Sequence, residues 1–359
     1  MNKKLIALTV LGVALSAHAE PRVSIYGTVD TGFVKETGSS TRMDESAANV
    51  IGFRGAEDLG NGIRATFQLE RQLQLPDGTN KETYSLDDSI SRALGNRGKT
   101  IDWTGAANVG LEGPWGRVRL GRVNEMSSEY FTELDPFLQA ATGSALAKYN
   151  LLRSEQLSNT IRYDSPEFAG FIVGLTYTLS ANEHDKPAGV NGDIYNAGFG
   201  GSLRYDNGPV SLMTNYNRQA DSNKSFVWNI GGAYTLGDWR FSVGYQGSKL
   251  KNLSSIPDLD LDVDTPIDQK EWLVGIQYSM GMGTINASYN RASVDKTAHD
   301  GDVDKYALGY TYNLSKRTQL YGMVSYTDSD NTFVGSIYNN NGAARESVTG
   351  VQLGITHSF

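Results

Sequence analysis

The sequence has no cysteine, which excludes disulfide bonds and thiolate metal sites. Proline and histidine are scarce, with nine and four residues among 359. The net charge of −8 at neutral pH, without a basic stripe, argues against nucleic acid as a partner. Beyond residue 19 there is no run of about 18 apolar residues, so the sequence predicts no transmembrane helix.

The first 19 residues have the pattern of a secretory signal peptide. Lys3 and Lys4 form a basic start, an apolar segment covers 5–15, and residues 17–19 match the A-x-A cleavage signal. The apolar segment is about half as long as a membrane-spanning helix, which argues against a membrane anchor. We therefore expect export, followed by one mature domain at residues 20–359.

Strict alternation of apolar and small polar residues is the strongest pattern in the chain. Near the C-terminus Val351, Leu353 and Ile355 alternate with Gln352 and Gly354. Side chains on a strand point to opposite faces in turn, so such a segment has one apolar face and one small, polar face. The polar face is too small to cover a core against water. A barrel with lipid outside and water inside fits the pattern better than a soluble sandwich.

Turn signals divide this pattern into sixteen predicted strands. They cover residues 22–35, 47–57, 62–75, 100–112, 116–123, 158–165, 169–180, 193–206, 209–220, 225–236, 238–251, 267–280, 283–295, 303–313, 317–330 and 346–359. Short turns rich in Asn, Asp, Gly and Pro alternate with long polar stretches, as in bacterial outer-membrane barrels. The sequence therefore predicts an all-β transmembrane antiparallel barrel, and sixteen strands leave a water-filled lumen.

Several segments resemble the general porins of Gram-negative bacteria, and those of β-proteobacteria in particular. They are residues 23–30 (VSIYGTVD), 52–60 (GFRGAEDLG), 116–122 (GRVRLGR), 163–170 (YDSPEFAG), 205–209 (YDNGP) and 312–318 (YNLSKRT), together with the terminal Phe359. The resemblance implies a homotrimeric outer-membrane diffusion channel for ions and small hydrophilic solutes, surrounded by lipid and lipopolysaccharide. It also implies that the third extracellular loop folds into the lumen, and that the barrel-assembly machinery reads Phe359.

The long connection at 124–157 corresponds to that third loop. Its acidic residues are Glu125, Glu129, Glu133, Asp135 and Glu155, and it also carries apolar residues that favour packing against the inner wall. The resemblance predicts that these acids narrow the pore to a charged eyelet. A solvated external loop is the alternative.

Basic residues with lumen-facing parity should stand opposite these acids. They are Arg54, Arg64, Arg117, Arg119 and Arg162. An arginine facing lipid near the midplane costs roughly 2–4 kcal/mol, which favours the lumen for this group. Arg122 matches the position of a porin eyelet arginine. Strict alternation would place it on the outer face, so a break in the strand pairing at Gly121 is needed for it to reach the lumen. Glu70 has lumen parity on the third strand and can offset a neighbouring arginine.

The sequence also departs from the family pattern. Val50 and Ala106 align with wall positions that carry arginine in anion-selective relatives, and Arg153 lies three residues from a third such position. Strong anion preference therefore does not follow from the resemblance. A substrate-specific channel, for example for small organic anions, stays open as an alternative to a general porin.

No cofactor is expected from the sequence. The acidic run at 258–264 could hold a divalent cation through its carboxylates, although it lacks the spacing of an EF-hand, and a solvated acidic loop is the simpler interpretation. An outer-membrane barrel hydrolase is a remote alternative. The mature histidines, His184, His299 and His357, have no accompanying nucleophile motif, so we expect no enzymatic activity.

Overall fold

The computed structural model describes residues 22–79, 103–139, 142–179, 197–220, 224–251, 266–295, 300–340 and 342–359. The predicted signal peptide and the acidic run at 258–264 lie outside these ranges. No helix within them is long and apolar enough to cross a membrane.

Sixteen antiparallel strands form the wall of a closed barrel. They are β1 Arg22–Glu36, β2 Asn49–Gly60, β3 Ile63–Leu73, β4 Ala107–Gly113, β5 Gly116–Asn124, β6 Gln156–Asp164, β7 Phe171–Thr178, β8 Gly198–Asn207, β9 Val210–Arg218, β10 Phe226–Leu236, β11 Trp239–Leu250, β12 Ile267–Met280, β13 Gly283–Asp295, β14 Gly301–Asn313, β15 Thr318–Ser329 and β16 Ser347–Ser358. Each strand pairs with the next along the chain, and the predicted count of sixteen is confirmed.

The first and last strands close the barrel. β1 pairs with β16 in an antiparallel register in which Phe33 lies beside Leu353. At the end of the chain, the amide of Gly27 donates to the carbonyl of Phe359 at 3.1 Å, and the amide of Phe359 donates back at 3.0 Å. The wall therefore has no free edge, as a membrane-spanning sheet requires.

The two faces of the wall differ as the alternation predicts. On β16, Leu353 is 59% exposed on the outer face, whereas its neighbour Gln352 is 0% exposed on the inner face. The same alternation of exposed apolar and buried small or polar side chains continues on β11 to β15. The apolar set therefore faces away from the protein, where hydrocarbon is its favourable surrounding.

Aromatic side chains form two girdles on the outer face. Tyr245 and Trp272 lie 4.4 Å apart between ring centroids near the long-loop ends of their strands. Trp239 and Tyr278 lie 4.4 Å apart near the short-turn ends. On β11 the two levels are six residues apart, about 20 Å along the strand. Such girdles mark the two membrane–water interfaces of an outer-membrane barrel.

The described parts of the long loops contain two short α-helices, a single 3₁₀ turn and a short extra strand. Helix α1 covers Met126–Leu134, helix α2 covers Thr332–Tyr338, and the 3₁₀ turn covers Leu146–Tyr149. The extra strand, Arg42–Asp44, pairs with β1 near its long-loop end. The alternation pattern did not predict these elements as regular structure.

The largest difference from the predicted boundaries is at β4, which begins at Ala107 instead of residue 100. Thr104 and Gly105 leave the ladder because their carbonyl oxygens accept hydrogen bonds from the Arg122 guanidinium. The amide of Gly105 in turn donates to the carbonyl of Glu70 at 3.2 Å. These bonds satisfy backbone groups that a longer strand would have paired within the sheet.

Candidate pore constriction

The loop between β5 and β6, residues 125–155 and here called loop 3, lies inside the barrel. The apolar face of α1, formed by Met126, Phe131 and Leu134, is buried against Met213 and Leu273 of the inner wall. Burial of these side chains drives the loop inward, because outside the barrel they would face water. The predicted inward course of the third loop is therefore confirmed.

Two neighbouring glycines make room for α1 on the wall. Gly231 of β10 and Gly244 of β11 are cross-strand partners. A Cβ atom on Gly244 would lie 2.9 Å from the Phe131 ring and 3.1 Å from a Leu134 methyl group. Glycine at this position thus permits the close approach of the helix to the sheet.

Two of the loop's acids hold the loop's own backbone. The Glu125 carboxylate caps α1 by accepting from the Ser128 amide at 2.9 Å. Asp135 accepts from the amides of Phe137, Gln139 and Ala145. Burial raises the pKa of both carboxyls, while these hydrogen bonds favour the ionised form. Both side chains are 1% exposed, so neither faces the open lumen.

The second half of loop 3 is fastened to the opposite side of the barrel. The Thr142 amide donates to the Gln352 side chain of β16 at 3.1 Å. The Asn150 side chain donates to Glu271 of β12 at 2.9 Å, and Tyr338 of α2 donates to the same carboxylate at 3.0 Å. Loop 3 and α2 thus fill the part of the lumen that lies against β10 to β14.

The open part of the lumen is a cavity of about 1010 Å³ between loop 3 and the opposite wall. Glu129 and Thr132 of α1 line one side, Arg42 and Asp44 of the first loop line another, and Thr311 belongs to the wall. Charged and hydroxyl side chains therefore face the narrowed passage, as solute-conducting pores require.

Arg119, Arg162 and Glu129, three of the predicted eyelet residues, meet around Asp164. Asp164 accepts from Arg119 at 2.5 Å and from Arg162 at 2.8 Å. Arg162 also contacts Glu129 of α1 at 2.8 Å. The two arginines are 8% and 4% exposed. The acids and arginines thus touch directly instead of facing one another across open water, because α1 lies directly on this part of the wall.

Glu133 has an arginine partner that was not among the predicted residues. Arg204 of β8 contacts Glu133 at 2.7 Å and also pairs with Asp206. The guanidinium of Arg240 on β11 donates to the Glu133 carbonyl at 3.2 Å. Arg204 has lumen parity beside the outward Leu203 and Tyr205, so the alternation rule applied to β8 was sufficient to find it.

Arg54 and Glu70 lie on the other side of the lumen and are connected through Tyr26. The Arg54 guanidinium lies 4.8 Å from the centroid of the Tyr26 ring, a cation–π distance. The Tyr26 hydroxyl donates to Glu70 at 2.6 Å, and Glu70 also accepts from Gln68 and from the amide of Ala106. Arg54 itself is exposed to the lumen.

Most inner-face arginines lie in the half of the barrel next to the short turns. We call this set the arginine band; each member is within six residues of the short-turn end of its strand. The members are Arg54, Arg64, Arg117, Arg119, Arg162, Arg204 and Arg240. Arg64 pairs with Glu112 at 2.5 Å close to the rim. Arg54, Arg117 and Arg240 make no ion pair with any carboxylate in the described ranges.

Arg122 lies at a break in the ladder. The pairing of β5 with β6 shifts register between Gly121 and Val123, and Gly121 has φ +129°, a conformation that favours glycine. The Arg122 side chain is buried, and it donates to the carbonyl oxygens of Thr104 and Gly105. Arg122 therefore holds the segment that leads from the second loop into β4. It does not belong to the group around Asp164.

Arg153 is a cation of loop 3 that lines the cavity. Its guanidinium donates to the hydroxyl of Ser128 at 2.7 Å and to the carbonyl of Lys148 at 3.4 Å. Burial lowers the pKa of the Arg153 guanidinium. Val50 and Ala106, the wall positions without arginine, bring no charge to the lumen, so the basic lining of the cavity comes from the loops.

The remaining candidates are the histidines and the acidic run at 258–264. His184, His299 and the acidic run lie outside the described residues. His357 is exposed at the end of β16, where its ring bonds the Thr318 hydroxyl. Within the described ranges no group of three or more His, Asp or Glu side chains is arranged to hold a metal ion.

Comparison with known proteins agrees with this architecture. The family described as Gram-negative porin matches residues 6–332. Outer membrane porin protein 32 of Delftia acidovorans is 29% identical over 384 aligned positions, covering 100% of both chains. An outer membrane porin protein of Bordetella pertussis is 28% identical, covering 91% of this chain and 94% of that protein.

A solved structure, the anion-selective porin from Comamonas acidovorans, matches with a TM-score of 0.75 and 26% identity, covering 95% of this chain and 100% of the other. The closed sixteen-stranded wall, the apolar outer face and the family match over most of the sequence agree with one another. The chain therefore belongs to the Gram-negative porin family and is a porin channel of the outer membrane.

Proposed function

We propose that this porin is a general diffusion channel whose loop 3 forms a charged eyelet for ions and small hydrophilic solutes. The observation that carries the proposal is the position of α1, which narrows the lumen to a passage lined by Glu129, Arg42 and Arg153. Mixed charges across a narrow aqueous gap orient and select ions without binding them tightly.

Planar-bilayer recording tests the eyelet. We expect the Glu129→Gln/Glu133→Gln variant to shift the reversal potential in a salt gradient toward anions, because two carboxylates leave the passage. Arg54→Ser should shift it toward cations. Each change in permeability ratio should be about twofold. The matched control is Asp304→Asn, which removes a carboxylate that pairs with Arg291 on the outer face. A shift in Asp304→Asn as large as those in the other two variants, or no shift in those two, would contradict the proposed eyelet.

A substrate-specific channel is the second candidate. It is supported by Arg153, a guanidinium on loop 3 whose hydrogen bonds go to Ser128 and Thr132 and to a backbone carbonyl. Arg153 makes no ion pair with a carboxylate of the described residues, so its guanidinium can contact a carboxylate solute without breaking one of these pairs. Saturating current block by a small organic anion, lost in Arg153→Ser, would favour this candidate over free diffusion.

A homotrimer fits the distribution of aromatic residues. Within strands β1 to β5 and β16 the outer face carries no tyrosine or tryptophan, and the exposed Trp103 and Trp115 lie just outside β4 and β5; β8 to β15 carry both girdles. Exposed apolar residues such as Ile25, Phe33 and Leu353 remain there. An apolar surface with few interfacial aromatic residues suits contact with another barrel. Conductance steps in groups of three are the expected result.

The remaining partners follow from the same proposal. Phe359 would be read by the barrel-assembly machinery, and the upper girdle would meet lipopolysaccharide. Residues 1–19 would direct export. We propose no cofactor and no enzymatic activity; a loop-bound divalent cation at 258–264 remains a sequence-based hypothesis.

A further inference from the structure

Charge is distributed unevenly along the channel axis. The arginine band lies beside the short turns, which mark the periplasmic side of an outer-membrane barrel. Three of its members, Arg54, Arg117 and Arg240, make no ion pair with a described carboxylate. Arg54 is exposed to the lumen, and Arg117 and Arg240 are partly exposed. The seven band arginines outnumber the four inner-face carboxylates at the same level, Asp58, Glu112, Asp164 and Asp206. The described periplasmic half of the wall therefore carries a net positive charge.

Acidic residues predominate on the other side of loop 3. The cavity extends along the lumen, and its lining on the extracellular side of α1 includes the acids Asp44, Glu45, Asp77 and Glu155. Its basic residues are Arg42, Lys148 and Arg153. Arg42 is already paired with Glu36 and Asp44. With Glu36 included, the named side chains are five carboxylates against three basic groups, so this described part of the lumen is net negative.

Loop 3 lies between these two regions. Glu129 and Glu133 of α1 point to Arg162 and Arg204, so the ion pairs of α1 form the boundary between the acidic and basic halves. An ion crossing the channel passes an acidic vestibule, the narrow passage beside α1, and then the arginine band.

We propose that this axial charge asymmetry makes the channel rectify, with more current when the extracellular side is positive. The inference rests on the proposed diffusion function. With that polarity, cations enter through the acidic half and anions enter through the arginine half, so both accumulate near loop 3 and the conductance rises. With the opposite polarity each ion must enter through a region of its own charge sign, and the passage is depleted of carriers.

The effect must depend on salt concentration. Fixed charges act across a pore only when the Debye length is comparable to its radius. That length is about 10 Å at 0.1 M salt and about 3 Å at 1 M. We expect the ratio of currents at opposite polarities to be about 1.5 or more at 0.1 M and to approach 1 at 1 M.

Recording from oriented single channels in symmetric KCl tests the proposal. The absence of cysteine allows orientation to be assigned with Thr235→Cys, an exposed lumen-facing position one residue from the end of β10. After each recording, a bulky membrane-impermeant thiol reagent added to one chamber reduces the current only if that chamber faces the periplasmic end.

The variant Arg54→Gln/Arg117→Gln/Arg240→Gln should bring the current ratio at 0.1 M close to 1. Arg54→Gln alone should lower the current ratio by a smaller amount. Because Arg54 is exposed, this single variant should fold even if the triple variant does not, and it then tests the proposal. Arg218→Gln is the control, because Arg218 stacks on Phe199 of the outer face. A linear current–voltage relation at 0.1 M, or rectification of the opposite sign, would overturn the proposal while leaving the channel intact. Absence of any conductance would instead contradict the proposed diffusion function.

Discussion

Leu308→Arg is expected to destabilise the folded barrel by about 2–4 kcal/mol, the cost of placing arginine on the lipid face near the midplane. Leu308 is 54% exposed on the outer face of β14, between Tyr306 and Tyr310 of the two aromatic girdles. Folded proteins are stable by only about 5–15 kcal/mol, so a loss of this size should reduce the yield of folded protein.

The matched control is Thr311→Arg, three residues further along the same strand. Thr311 faces the lumen and lines the cavity, so its replacement places the same charge in water. Folded fractions from heat-modified gel mobility, and urea unfolding in lipid vesicles, measure the difference. Equal destabilisation by the two substitutions would contradict the assignment of the two faces.

Gly244→Val is expected to displace loop 3 and to increase single-channel conductance by about 1.5- to 2-fold, since the loop is the narrowest obstacle in the lumen. A side chain at this position would meet the Phe131 ring and the Leu134 methyl group. Both groups belong to α1, so the strain falls on the packing of the loop rather than on the ladder of the wall.

Gly201→Val is the control for Gly244→Val. Gly201 lies on the outer face of β8, where a Cβ atom would meet only a Leu175 methyl group at 3.9 Å, an ordinary contact. Conductance in planar bilayers and the uptake of solutes of increasing size by vesicles measure the outcome. If Gly244→Val folds and conducts like the parent, α1 does not limit the passage.

The alternation of residues was sufficient to predict the wall. Each strand exposes one face to lipid and one to the lumen, so Leu353 and Gln352 differ in polarity for a direct physical reason. The alternation of short turns with long polar stretches then predicted the number of strands. Strand boundaries were less predictable where a side chain takes the place of a neighbouring strand as hydrogen-bond partner. Arg122 does so for the carbonyl oxygens of Thr104 and Gly105.

The helices had a signal that the strand prediction did not use. In α2, Val334, Ile337 and Tyr338 follow the spacing of a helical apolar face, and Asn331 caps the helix through the Val334 amide. Because strand alternation dominates the chain, residues 331–345 read only as a polar loop. The apolar residues of α1 have the same helical spacing.

The partners within the constriction could not be predicted from the sequence. Parity places Arg119 and Arg162 on the lumen side, but it cannot show that Asp164 lies between them or that α1 covers them. Those contacts depend on how far loop 3 moves inward and on which glycines admit it. The direction of the loop came from the family resemblance, since its apolar residues alone do not identify the surface that they meet.

The orientation of the two faces determines every other feature of the channel. Spin labels placed singly at residues 306–312, which the cysteine-free chain allows, measure it through collisions with oxygen, which dissolves in lipid, and with a water-soluble nickel complex. The structure predicts oxygen maxima at 306, 308, 310 and 312, and nickel access at 311. Oxygen maxima at the odd-numbered positions, or no two-residue period, would contradict it.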